Sequence, residues 1–210
     1  MRTTDFQGVP AERKATGKAA RARLPLDAMA HLGEVRDRDP VAILRAQDET
    51  RVQSLVPIRH GRMVASPFPF FRGGAAIMAA DLASSEHSGL TVQLCGDAHL
   101  SNFGGYASAE RQLVFDINDF DETFPGPFEW DVKRLAASVV VAGEANGFSA
   151  EQCRVASWQS AHSYRRAMRR FARQPMLDVW YAHLNIEAVA RTSAESLGPK
   201  TRRKHADDLE

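Results

Sequence analysis

The sequence predicts an α+β fold, and three observations predict it. LTVQLC at 90–95 and RQLVFDI at 111–117 are rich in β-branched and apolar residues and read as strands. Helical patterns precede this pair, and three more follow it. Between and just after the strands, the stretch 94–131 gathers Asp97, His99, Asn102, Asp116, Asn118, Asp119, Asp121, Glu122 and Asp131. Acids and amides at that density beside apolar runs suit a site that holds metal and phosphate.

A chain of 210 residues is long enough to bury a real core in one large domain or two small ones. Its hydrophobic share of 44% and charged share of 25% are those of an ordinary globular protein. The formal net charge of +1 gives no case for a nucleic-acid or membrane partner. Cys95 and Cys153 form no disulfide framework and no C-x-x-C metal spacing, so they are expected as buried thiols in a reducing compartment. The first residues carry positive charge without the apolar core of a signal peptide, and no apolar run nears the roughly 20 residues of a membrane helix. The expected location is the cytoplasm.

Residues 1–24 are basic, polar and poor in apolar side chains, and are expected as a flexible arm. Asp39-Pro40 announces a capped helix through VAILRAQDETRVQSLVPIRHGRM, which Pro57 ends. In SPFPFFRG, at 66–73, Pro67 and Pro69 are expected to hold the backbone extended, with Phe68, Phe70 and Phe71 as core anchors. GAAIMAADLA, at 74–83, reads as a short helix, and LTVQLC then delivers the chain to Gly96-Asp97. GGYASAE carries turn chemistry, so the two strands are expected to pair as a long-looped hairpin.

Pro125-Gly126-Pro127 is expected to break the chain. From Trp130, apolar Val132, Leu135, Ala136, Val139 and Val140 recur at helical spacing until Asn146-Gly147. Ser149-x-x-Gln152 is a capping box for the next helix, whose arginines 165, 166, 169 and 170 form a solvated face. Pro175 opens a last helix containing Val179, Trp180, Leu184 and Ile186, and 193–210 is a polar tail. Residues 25–192 are expected as a single domain.

A strand ending in Gly96-Asp97 projects a carboxylate beyond a sheet edge. Five residues on, Asn102 offers a hard amide oxygen suited to Mg²⁺. Phosphoryl transfer uses this pattern: an Asp that accepts the hydroxyl proton, then an Asn that holds metal. A second acid for the metal is expected at the end of the next strand, where Asp116 and Asp119 both stand.

These residues resemble a known group. Cys95-Gly96-Asp97, with His99 and Asn102, then Asp119-Phe120, then Trp130-Asp131-Val132 with Leu135-Ala136, is similar to the catalytic half of aminoglycoside phosphotransferases and choline kinases. That resemblance implies a protein-kinase-like fold with a mostly helical C-terminal lobe. It implies Asp97 as the catalytic acid-base group, with His99 and Asp131 orienting the loop. Asn102 with Asp119, or with Asp116, would hold Mg²⁺, and ATP or another nucleoside triphosphate would donate to an unknown hydroxyl-bearing substrate. Over roughly 55–181 the chain is more closely similar to the bacterial domain-of-unknown-function family 2252. Its members are longer, so the chain is expected to be truncated relative to them.

Several departures qualify what the resemblance implies. Cys95 stands where the group has His, and the run from Asn102 to Asp119 is longer than its hairpin. No lysine lies between Lys18 and Lys133, and no glycine-rich phosphate loop precedes Asp97. Arg59, Arg62 and Arg72 are the candidate phosphate-binding cations in that role, or else structural residues. The short, lysine-free N-terminal part leaves an inactive pseudokinase-like binding module as the alternative. A binuclear phosphoesterase is a third reading, resting on Asp97-x-His99 alone.

Overall fold

A computed structural model describes residues 9–33 and 38–185. The fold is α+β, with helices dominating and the strands confined to two small antiparallel sheets. The described chain divides into two compact units, one built from residues up to Leu100 together with Phe120–Tyr164, the other from Ser101–Asp119 with the residues from Arg165 onward.

In the first unit, Pro10–Arg23 forms helix α1, within the stretch expected as a flexible arm. Alanines supply its propensity, and Ala20 and the following Leu24 are buried. Helix α2 (Pro40–Glu49) starts as the sequence indicates, with the Asp39 carboxylate accepting from the Ala42 N–H at 2.9 Å. It does not run on to Pro57. A break at Thr50–Val52 separates it from α3 (Val56–Met63), and Pro57 sits in the first turn of α3 instead of ending α2.

The same correction applies to 66–73, which is not extended but forms α4 (Pro67–Gly73). First-turn N–H groups have no intrahelical partner, so Pro67 and Pro69 give up nothing there. Helix α5 (Ala75–Ala83) follows and buries Ala75, Ile77 and Leu82. Helix α4 packs on α3 and on α6 (Glu129–Ala145), while α5 packs on α2 and α6. Gly147, at φ +78°, closes α6 in a left-handed turn, and the Ser149–Gln152 capping box opens α7 (Ala150–Phe171).

Strand β1 (Thr91–Leu94) pairs not with RQLVFDI but with β4 (Phe124–Pro127), in the register Val92↔Gly126 and Leu94↔Phe124. The Pro-Gly-Pro run expected to break the chain is therefore a strand. Alternation explains it: the Phe128 N–H reaches Leu90 O at 3.3 Å, so residues of that parity face β1. Pro125 and Pro127, of the other parity, turn their missing N–H groups away from it. Leu94 is 1% exposed and lies against Gly126, where an added Cβ would come 2.6 Å from its Cδ1.

In the second unit, β2 (Phe103–Ala107) forms a hairpin with β3 (Leu113–Ile117), and β3 also pairs with β5 (Leu184–Asn185). The residues expected as turn, from Gly104 onward, supply strand β2, and the tighter turn lies at 108–112. Helix α8 (Met176–Trp180) is shorter than expected, and Leu184 belongs to β5 instead. Ile186 and the polar tail lie outside the described residues. Among the described residues, no helix is long and apolar enough to cross a membrane.

Leu94 joins β1, β4 and the loop that follows. Leu94→Ala should cost about 2–5 kcal/mol of stability in urea unfolding, the range for emptying a buried leucine site. A loss under about 1 kcal/mol would show that the strand pair is not part of the cooperative core.

Candidate functional site

The loop after β1 is held by one face of α6. Residues 131, 134 and 138 recur at helical spacing and form a polar stripe on a largely apolar helix. Asp131 accepts from the backbone N–H of Cys95 at 2.8 Å and of Gly96 at 3.1 Å. Burial pushes the Asp131 carboxyl up, these two hydrogen bonds pull it back, and the charge of Asp97 raises it further. Ser138, fully buried, accepts from the Leu100 N–H at 3.1 Å and donates to Leu135 O at 2.7 Å. Backbone groups at both ends of the loop thus find partners on the same helix.

Between those two anchors the chain turns sharply. Gly96 has φ +88°, and a side chain there would collide with the Glu122 backbone, so both conformation and space require glycine. The His99 N–H donates to Asp97 O at 2.8 Å, a three-residue turn that points both side chains inward. Asp97 is 7% exposed and His99 2%.

Arg134 lies at the centre of this arrangement. Its Nε donates to Asp97 Oδ1 at 2.5 Å, its Nη2 to Phe71 O at 2.8 Å and its Nη1 to Met78 Sδ at 3.5 Å. Its guanidinium also stacks over the Phe71 ring, 4.2 Å from the centroid. The other Asp97 oxygen lies 3.5 Å from His99 Nε2. Burial holds the His99 imidazole below its ordinary 6.5. Asp97 opposes that shift, and the charges of Arg134 and Arg72 add to it. His99 also meets Phe68 edge-on, with ring centroids 6.3 Å apart.

Arg134 and Ser138 were not singled out from sequence. The signal was present in WDVKRLAAS, where two polar residues repeat the helical phase of Asp131. Glu129 was missed as well: it is 1% exposed and accepts from the Ser88 N–H at 2.9 Å, fixing the loop before β1.

The three candidate phosphate-binding arginines belong to this unit. Arg72 acts electrostatically on His99. Arg59 donates to Gly73 O at 2.8 Å and lies 3.6 Å from the Asp48 carboxylate. Arg62 lines a surface hollow beside α3.

The candidate metal residues Asn102, Asp116 and Asp119 belong to the second unit. The Asn118 N–H reaches Asn102 O at 3.0 Å, which continues the hairpin register one pair beyond Phe103↔Ile117. Asp116 lies opposite Gly104, and the Asn118 amide rests where a Gly104 Cβ would be, at 2.6 Å. Asp116 and Asn118 therefore share one face, with a glycine leaving room between them. Asp119 follows, exposed, beyond the strand end. Mg²⁺ takes one or two carboxylates and keeps waters or phosphates for the rest, so this set of hard oxygens fits it chemically. Among the described residues, no three His, Cys, Asp or Glu side chains gather into a metal cage.

A family model described as "Uncharacterized protein conserved in bacteria (DUF2252)" matches residues 51–207. No curated protein and no solved structure matches the chain.

Arg134→Ala leaves Asp97 a buried charge without its partner and should cost about 3–5 kcal/mol in urea unfolding. Adding Asp97→Ala to it should recover part of that loss. Strictly additive losses would mean that the two side chains do not interact. His99 gives a pH test. Its folded form resists protonation while the unfolded form does not, so stability is full above about pH 6.5 and falls as pH drops through that value. Between pH 7 and 6, His99→Gln should flatten the slope of stability against pH. Asp131 has the opposite sign: its raised carboxyl favours the folded chain at low pH, and that contribution is lost as pH rises from its ordinary 3.8.

Proposed function

This chain belongs to DUF2252, a family of uncharacterised bacterial proteins, and from its site we propose an atypical kinase-like phosphotransferase moving a nucleotide phosphoryl group to a hydroxyl acceptor with Mg²⁺. The observation that carries the reading is the fixed loop, with Asp97 buried at its centre and backbone anchored on either side by Asp131 and Ser138. A carboxylate positioned so firmly suits a base in hydroxyl phosphorylation. In that reaction the acceptor oxygen attacks the terminal phosphorus and the bond to the departing nucleoside diphosphate breaks. Asp97 takes the hydroxyl proton.

Bound Mg²⁺ would neutralise charge on the phosphates. Asn102 and Asp119 would hold it, and Asp116 is the second carboxylate available on the same hairpin. Arg59, Arg62 and Arg72 are the cations this reading assigns to phosphate. The kinase-like fold is part of the proposal. It rests on strand β1 leading into the Gly96-Asp97 turn, the Asp97-to-Asn102 spacing and the helix that carries Asp131.

A specific observation favours a second reading, a binding module without turnover. Asp97 spends one oxygen on Arg134 and is almost wholly buried, which leaves little of it for an acceptor.

Phosphate transfer from Mg-ATP to a panel of small hydroxyl compounds, with thermal shift for nucleotide binding, separates the two. The expected result is measurable transfer by the unmodified chain. Asp97→Asn should lower it about 10²–10⁴-fold while nucleotide binding is retained. Asp119→Ala should remove the Mg²⁺-dependent part of binding. If it binds Mg-nucleotide normally while Asp116→Ala does not, the metal belongs to Asp116. Binding without transfer gives the second reading, and no shift with ATP or GTP overturns nucleotide use.

A further inference from the structure

The hollow beside α3, of about 580 Å³, joins three arginines to an apolar wall. Leu55, Ile58 and Arg59, and Arg62 recur at helical spacing, so the N-terminal turn and one face of α3 line it, and Arg51 closes it from the end of α2. Val52, Leu55 and Ile58 are each more than half exposed, so the wall is not used in packing.

The charges in this hollow are not balanced. Among the described residues, neither Arg51 nor Arg62 makes an ion pair. Asp48 and Glu122 both draw Arg59 electrostatically, and the second Asp48 oxygen lies 2.8 Å from His60 Nε2. Asp48 Oδ1 stays 3.6 Å from Arg59 Nη1, and that buried nitrogen makes no hydrogen bond. Burial lowers the Arg59 pKa, and the like charge of Arg51 lowers it further. Guanidinium groups crowded together around an unspent donor are what an oxyanion would relieve.

Arg59 is drawn electrostatically by Glu122, whose backbone lies against Gly96.

We infer that this hollow is an oxyanion site for a phosphate ester or anhydride, with Arg51 and Arg62 gripping the phosphate and Val52, Leu55 and Ile58 covering an apolar appendage. The inference rests on the phosphotransferase reading for its purpose, and adds Arg51 and the apolar wall to it. Arg51 and Arg62 are exposed, so their replacement spares the fold, whereas Arg59 also holds Gly73 O.

The test is calorimetric titration of the whole chain with inorganic pyrophosphate, ATP and octyl phosphate, without Mg²⁺. All three should bind, the two organic probes more tightly than pyrophosphate. Arg51→Ala and Arg62→Ala should each weaken all three about tenfold, and Asp97→Asn should leave them unchanged. ATP binding more tightly than octyl phosphate identifies a nucleotide as the source of the phosphate, and the reverse order an aliphatic phosphate. Absence of pyrophosphate binding, or binding indifferent to both arginine variants, overturns the site and leaves phosphate transfer to stand on its own assay. Arginine-dependent binding in a chain that transfers no phosphate keeps the site and removes the transfer reading.

Discussion

The guanidinium of Arg134 is the point on which the first unit depends. A charge that deeply buried is tolerated only when every direction it presents is answered, because the low-dielectric interior penalises an unpaired ion by several kcal/mol. Here Asp97 answers one direction, a main-chain carbonyl of α4 a second, a thioether of α5 a third and an aromatic face the fourth. Three separate stretches of chain, the loop of Asp97, α4 and α5, must therefore reach α6 in register before the ion is stable. A hydrophobic replacement would pack as well in energy but would not demand that register. The loop geometry follows from this requirement together with the two backbone anchors on the same helix.

The sequence placed the strands and helices more clearly than it paired them. LTVQLC and RQLVFDI were legible as strands because β-branched residues fit a pleated, half-buried surface. Nothing local in them specifies partners, and the expected pairing of one with the other is replaced by β1–β4 and β2–β3. Proline misled twice for a related reason. At 67 and 69 it was read as forcing extended backbone, yet the first turn of a helix has no use for those N–H groups. At 125 and 127 it was read as a break, yet every second residue of an edge strand can lack a donor. Arg134 is not legible in the sequence because a lone arginine in a helix is ordinarily solvated, and only its partner 63 residues upstream, Phe71, and the loop residue Asp97 show otherwise.

The candidate site was legible as a set of residue types in order, and less so as a geometry. Asp131 was singled out, and its place on the Cys95 and Gly96 N–H groups is a matter of helical phase. The acids within and just after β3 are a different case. Asp116 and Asp119 differ by three residues, which in a strand changes the face, so the choice between them depends on register that composition does not contain.

The proline alternation in β4 has a consequence for how this protein meets other chains. A sheet edge with its N–H groups intact is a template onto which any extended peptide can add a strand. The outer edge of β4 has no donors at Pro125 and Pro127, so an incoming strand would find carbonyls without their complement and gain little by docking. Growth of this sheet by strand addition is blocked on that side by covalent structure. The protection therefore holds in partly unfolded forms, where a cover would have been lost.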